Sequence, residues 1–222
     1  MILAIETSTP VCSIALGKQA SIIEKRIEGK GVHSESTFTY IKELLVRHKI
    51  SVADLDVVLF SNGPGSYTGL RIGAAAIKGL LFERDIPLFT LSSLVSFAVP
   101  FVDQSMRIHS VIDARREHLY HQKIERQANG ELQISKPEIK ELDKLQSELK
   151  AGEIITGTGW ERLQYNTIEN LTRIGTEGIS AKNLILAWNN TSMKSIFKEE
   201  QVETFEPEYL TMAQVNNSAI GE

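Results

Sequence analysis

The densest group of residues able to hold a ligand is Asn62-Gly63-Pro64-Gly65-Ser66-Tyr67-Thr68-Gly69-Leu70-Arg71-Ile72-Gly73. It lies between a predicted strand and a predicted helix, where free backbone N–H groups and the helix dipole favour an anion. Two common phosphate-binding patterns do not fit it. A Walker loop ends in Gly-Lys-Ser/Thr, whereas Gly69 is followed by Leu70; a dinucleotide fingerprint needs a glycine three residues after Gly65, where Thr68 stands. The alternative is packing. Gly69, Gly73 and Ala76 share one helix face and let the helix lie close to a neighbour, which would justify the ~1 kcal/mol that an interior glycine costs relative to alanine. Metal chemistry has less to draw on. Cys12 is the sole cysteine. His118 and His121 are three apart on a predicted strand and so point to opposite faces. His48 and His109 have no carboxylate or cysteine partner nearby in sequence.

Strands and helices must position these residues, and the pattern predicts them in a repeated order. Met1 to Ile5, Val11 to Leu16 and Ala20 to Glu28 read as a three-strand antiparallel meander, punctuated by Glu6-Thr7-Ser8-Thr9-Pro10 and Gly17-Lys18-Gln19. Ser34 to Lys49 is an amphipathic helix with Phe38, Ile41, Leu44, Leu45 and His48 at helical spacing and Ser34 or Ser36 available as a cap. Tyr40 and Val46 add apolar area off that stripe. Asp56 to Ser61 (strand), Leu70 to Glu83 (helix), Pro87 to Leu91 (strand) and a short helix from Ser92 or Ser93 to Val99 follow. The order then restarts. Ile108 to Asp113, His118 to Glu125 and Glu131 to Ser135 read as strands, Lys140 to Lys150 as a helix, Glu153 to Thr156 as a strand and Ser180 to Lys198 as a long helix. Each half opens on a strand ending in a carboxylate, Ile5-Glu6 and Ile112-Asp113. Two lobes are therefore expected, 1–105 and 106–222.

Composition agrees. At 222 residues, 42% hydrophobic and 23% charged, the chain suits two small lobes or one larger domain. Its 24 basic and 28 acidic residues give a net charge of -4, so no overall positive field would hold a polyanion, and unaided binding to nucleic acid is not expected. One cysteine points to a reducing compartment, and the sequence shows neither a secretory leader nor a membrane-length apolar run; a soluble cytoplasmic protein is expected.

The chain resembles the TsaB (YeaZ) family of tRNA threonylcarbamoyladenosine biosynthesis subunits, in the superfamily of actin, sugar kinases and Hsp70 ATPases. The residues that carry the resemblance are Ile2-Leu3-Ala4-Ile5-Glu6-Thr7-Ser8, His33-Ser34-Glu35, the glycine-rich stretch 63–73, Ile112-Asp113-Ala114-Arg115 with Tyr120, and Gly157-Thr158-Gly159-Trp160. Beyond residue 160 only Glu206-Pro207-Glu208-Tyr209-Leu210 adds to it, and Thr211 stands where an arginine is common. The resemblance implies an α/β, two-lobed actin-like ATPase (ribonuclease H-like) fold, each lobe a mixed sheet with helices. It implies a non-catalytic scaffold subunit that pairs with the catalytic subunit TsaD and, with the ATPase TsaE, supports threonylcarbamoyl transfer to the adenosine next to the anticodon. Homodimerisation when alone, and tRNA held mainly through the partner, are further implications. The subunit contact would fall on the two long helices, through Phe38, Ile41, Leu45, Gly69, Gly73 and Ala76. Ile41→Glu or Gly73→Arg would then break pairing and spare the fold.

The resemblance implies no cofactor of the chain's own, with ATP or ADP at a subunit interface near Glu6, Ser8, Gly65, Asp113 and Gly157 as the nucleotide reading. Active kinases of the superfamily place carboxylates at the two corresponding turns to organise magnesium. Glu6 and Asp113 could fill both positions and motivate a small-molecule kinase as the rival function. Against it, Glu6 lacks a glycine-rich phosphate hairpin and Asp113 is followed by Ala114-Arg115, so both could instead be buried or capping carboxylates, paired with Arg71 or Arg115. The catalytic relative also holds metal through His-x-x-x-His, whereas His33 here is followed four residues later by Thr37. One imidazole makes no metal site, which leaves His33 a capping or packing residue and a metallopeptidase the weakest reading.

Overall fold

The computed structural model describes residues 1–18, 21–164 and 168–210. Gln19 and Ala20, assigned above to a turn and a strand start, and Thr211 lie outside the described residues. The first sheet is built from β1 (Ile2–Glu6), β2 (Val11–Lys18) and β3 (Ser21–Glu28) as an antiparallel meander, with β4 (Val57–Ser61) parallel to β1 and β5 (Leu88–Leu91) parallel to β4. The second sheet repeats this. In it β6 (Arg107–Asp113) pairs antiparallel with β7 (His118–Arg126), while β10 (Ile154–Gly157) lies parallel to β6 and β11 (Thr172–Ile174) parallel to β10.

The strand residues explain the layering. Along β1, Leu3 and Ile5 face one side with Ile14, Leu16, Val58 and Phe60, and Ile2 and Ala4 face the other with Ala15, Val57 and Leu59. A strand apolar on both sides needs cover on both. Helices α1 (His33–Arg47) and α2 (Tyr67–Leu81) supply the outer cover through Ile41, Leu44, Leu45, Leu70 and Ile77. Between the sheets lie α3 (Ser93–Ala98) and α5 (Lys182–Asn189), sharing a core with Ile108, Ile124 and Ile154. Helix α4 (Leu142–Glu148) covers the far side of the second sheet against Val111, Leu119 and Ile155.

Three sequence-based expectations change. Neither Ser34 nor Ser36 caps α1: its N-cap is Val32, with no side-chain cap bond, and the Ser34 hydroxyl reaches back to the Gly31 carbonyl. The helix expected from Lys140 begins only at Leu142, because β8 (Leu132–Ile134) pairs with just the Ile124–Arg126 end of β7. The unpaired backbone at the other end of β7 is satisfied by β9 (Glu138–Glu141). The long helix from Ser180 is broken at Asn190, whose extended backbone and side-chain oxygen, accepting from the Ser192 N–H at 3.0 Å, start the short α6 (Thr191–Lys194). The chain then returns to the first sheet. There β12 (Lys198–Glu200) pairs antiparallel with β5, and Phe205 packs edge-on to Phe60 at 5.8 Å. Among the described residues no helix is long and apolar enough to cross a membrane.

Candidate functional site

Four chain turns meet at a cleft of about 680 Å³ between the sheets. The turn after β1 supplies Ser8 and Thr9, and the glycine-rich loop after β4 supplies Gly65 and Ser66. From the second sheet come Asp113 and Arg115 after β6, and Thr158, Gly159 and Arg162 after β10. The first two turns are locked together. The Ser66 N–H donates to the Ser8 carbonyl at 2.7 Å, and a Cβ on Gly65 would strike that same carbonyl, so glycine is required by the close approach. Ser66 then caps α2, its hydroxyl accepting from the Gly69 N–H at 3.2 Å.

Of the expected nucleotide-site residues, Ser8, Gly65 and Asp113 line the cleft; Glu6 and Gly157 do not. Glu6 is fully buried, and its carboxylate accepts from the Ser8 N–H at 2.7 Å and the Ser8 hydroxyl at 2.6 Å. Burial raises its pKa above the ordinary carboxylate value, against the opposing hydrogen bonds of Ser61 and Ser8. Asp113 lies in the cleft wall but is already engaged, accepting from Arg162 at 2.5 Å and from the Arg115 N–H at 2.8 Å. Its counter-charge is Arg162, not Arg71 or Arg115. Gly157 sits in β10 where a Cβ would collide with the Val111 backbone. A magnesium nucleotide therefore fits these residues poorly, since one carboxylate is sealed under the cleft and the other is spent on a guanidinium. The chemistry left facing the cleft is that of hydroxyls, the Arg115 side chain and the Glu161 carboxylate, one oxygen of which accepts from the Gly159 N–H at 3.0 Å.

The histidines follow suit. His33 is buried with Nε2 3.3 Å from the Val11 carbonyl, a packing role, and burial lowers its pKa. Thr37, one turn on, lies 3.4 Å from Cys12 Sγ. Among the described residues no three His, Cys, Asp or Glu side chains are placed to share a metal ion. His109, without partners in sequence, gains them through strand pairing with β7 and the lead into β10.

The two long helices divide into an inner and an outer face. Ile41, Leu45, Gly69, Gly73 and Ala76 are buried on the inner one, and a Cβ on Gly73 would come within 2.6 Å of the Phe60 ring and of Thr7 Oγ1. These glycines let α2 approach its own sheet. Ile41→Glu and Gly73→Arg would consequently disrupt the core of the isolated chain, contrary to the sequence expectation. Of the six residues expected at a subunit contact, Phe38 is the one that is exposed, at 52%. Val46, also apolar in the sequence, is exposed at 68% beside β3 and Lys182, and Tyr67, Ala75, Gly79 and Phe82 on or just beyond α2 are exposed as well. Nothing lies within 4 Å of where a Gly79 Cβ would be, so no internal contact requires glycine there. Sequence spacing shows the helical stripes but not which one meets the sheet.

Residues 28–218 match the family model described as TsaD, tRNA N6-adenosine threonylcarbamoyltransferase. A Haemophilus influenzae protein named tRNA threonylcarbamoyladenosine biosynthesis protein TsaB is 30% identical over 189 residues, covering 77% of both chains. The chain belongs to the TsaB family. An Escherichia coli protein of the same name is 29% identical over 72% of each chain. Among solved structures, YeaZ from Pseudomonas aeruginosa superposes with a TM-score of 0.74 at 23% identity, over 94% of this chain and 99% of that one. The α/β arrangement of two mixed sheets is the one that the repeated order of strands and helices led us to expect, and the actin-like fold is the one that the family resemblance implied.

Proposed function

We propose that the chain is the non-catalytic scaffold subunit for threonylcarbamoylation of a tRNA adenosine, pairing with a TsaD-type catalytic subunit through the outer face of α1 and α2. The observation that carries this is Gly79. An exposed helix-interior glycine costs about 1 kcal/mol relative to alanine with no compensation inside the chain. One turn from exposed Ala75, and on a helix whose ends carry exposed Tyr67 and Phe82, it leaves room for another helix backbone to approach closely. The engaged Asp113 and sealed Glu6 support scaffold over kinase, and the absence of an expected metal-ligand pair at His33 and Thr37 gives a metallopeptidase no support. Two copies could use the same face when the partner is absent. A TsaE-type ATPase would then join through the assembled pair, and the net charge of -4 suits a subunit that leaves most of the grip on tRNA to its partner.

Gly79→Arg tests this reading. The variant should keep the circular dichroism of the parent and melt no lower, because the position is open and arginine is a better helix former than glycine, while losing co-elution with the purified catalytic subunit on gel filtration. Undiminished co-elution at micromolar concentration would sink the interface.

A further inference from the structure

On the α4 side of the second sheet, four side chains form a single file. His109 Nε2 lies 3.1 Å from Glu153 Oε2, His109 Nδ1 lies 3.0 Å from His121 Nε2, and His121 Nδ1 lies 3.0 Å from Glu138 Oε1. Both imidazoles are about 1% exposed. Their centroids are 5.2 Å apart with planes only 21° from parallel, as two rings give when they meet edge to edge, nitrogen to nitrogen.

Counting protons shows what this file requires. A neutral imidazole carries one N–H, and an ionised carboxylate carries none. Two neutral histidines between two carboxylates offer two protons to three hydrogen bonds. If each ring donates outward to its carboxylate, two bare lone pairs face each other at 3.0 Å. The three contacts are all satisfied only when the file holds a third proton.

The surroundings accommodate its charge. Arg107 bonds Glu153 at 2.8 Å and Glu125 at 2.6 Å, Lys123 pairs with Glu125, and Lys140 pairs with Glu138 and Glu148. These four carboxylates and three cations leave one negative charge, which the third proton cancels. Glu138 stays ionised, its pKa lowered to about 2 by the His121 hydrogen bond and by Lys140. Burial, together with the charges of His121, Arg107, Lys140 and Lys123, pushes His109 taken singly down to about 3, and burial lowers His121 as well. A proton bound between two rings, with a carboxylate behind each, has its charge neutralised where it sits and avoids most of that penalty.

We propose that His109, His121, Glu138 and Glu153 form a proton-retaining clamp across β6, β7, β9 and the lead into β10, so that closure of the second sheet is coupled to uptake of one proton. The sign follows from linkage. On this proposal the completed His109–His121 bond and the carboxylate behind each ring outweigh the burial that lowers each imidazole singly, so the folded file binds the proton more tightly than an unfolded histidine; its stabilisation is complete below about pH 6.5 and fades as pH rises through the folded value.

Glu138→Gln is the decisive variant. A glutamine amide can donate to His121 Nδ1; His121 Nε2–H can then donate to His109 Nδ1, and His109 Nε2–H to Glu153, completing every bond with no extra proton. In denaturant titrations of the full chain from pH 6 to 9, the folding constant of the parent should fall relative to the variant by up to tenfold per pH unit from pH 6 until the folded file gives up its proton. The ratio cancels the other histidines. A ratio constant with pH overturns the clamp. If Glu138→Gln fails to fold, 15N-histidine NMR of the parent decides: one proton shared between His109 and His121 at pH 7 is expected, and two neutral rings without it refute the proposal.

Discussion

Phe205→Ala should loosen the C-terminal strap, and the structure sets its size. Phe205 is 2% exposed, packed edge-on to Phe60 in the core beneath α1 and α2. Truncating such a phenylalanine costs about 3–5 kcal/mol when the surroundings cannot collapse into the gap. The strap's other fastenings are modest: three residue pairs between β12 and β5, the Glu208 N–H on the Asn62 carbonyl at 2.9 Å, and Tyr209 against Tyr67 at 4.9 Å. The strap should therefore detach locally before the rest of the core fails, which caps the global loss near the lower end, about 3 kcal/mol. At roughly 2–4 °C per kcal/mol for a chain of this size, the melting temperature should drop by about 6–12 °C. Urea titration measures the first quantity and calorimetry the second. Hydrogen exchange should show early loss of protection at the Glu208 amide and along β5, while β1 and β2 stay protected. A loss under about 1 kcal/mol with unchanged exchange at Glu208 would refute the reasoning, and with it the view that the returning strand is part of the first lobe's core.

Other perturbations separate the roles assigned above. Glu6→Gln keeps an acceptor for Ser8 and removes an ionisable group. Because burial raises the folded pKa of Glu6, the wild-type carboxyl contributes its full stability below the unfolded value and loses it as pH rises through the folded one, so the variant should gain on the parent as pH rises above the ordinary carboxylate range in denaturant titrations. Asn190→Ala removes the cap of α6 and should cost about 1 kcal/mol by the same assay, with no effect on partner co-elution. Gly73→Ala sets a helix-propensity gain of about 1 kcal/mol against overpacking of Phe60 and Thr7 at about 1–3 kcal/mol; a net loss in urea titration is expected, whereas Gly79→Ala should gain close to the full propensity term.

Much of the fold was legible because strand patterning is local. The two-sided apolar runs of β1 and β2 already demanded cover on both faces, and the restart of strand, strand, strand near residue 107 announced a second sheet. The misses are places where tertiary need overrode local pattern. Residues 138–141 became a strand because β7 needed a partner that β8 is too short to provide. Lys198, expected to end the long helix, instead opens β12, because Asn190 had ended that helix and an open edge at β5 was available. In the cleft, sequence brought out the right turns yet could not show that Arg162 would reach across 49 residues to occupy Asp113, or that Glu6 would turn inward onto Ser8.

The two faces of α2 show why a small-residue stripe is ambiguous in sequence and not in structure. Gly69, Gly73 and Ala76 recur at helical spacing, and so do Ile72, Ala75 and Gly79, only a short rotation away. Periodicity ranks the two stripes equally. Burial separates them, because Gly69 and Gly73 lie against Thr7 and Phe60 and would be selected for smallness in a monomer, whereas Ala75 and Gly79 are exposed and a Gly79 Cβ would meet nothing within 4 Å. A glycine kept small by its own sheet should respond to substitution with lost stability and secondary loss of pairing. A glycine kept small by a partner should lose pairing with no loss of stability, or with the small gain that helix propensity supplies. Gly73→Arg and Gly79→Arg, compared in the same two assays, should fall on opposite sides of that line.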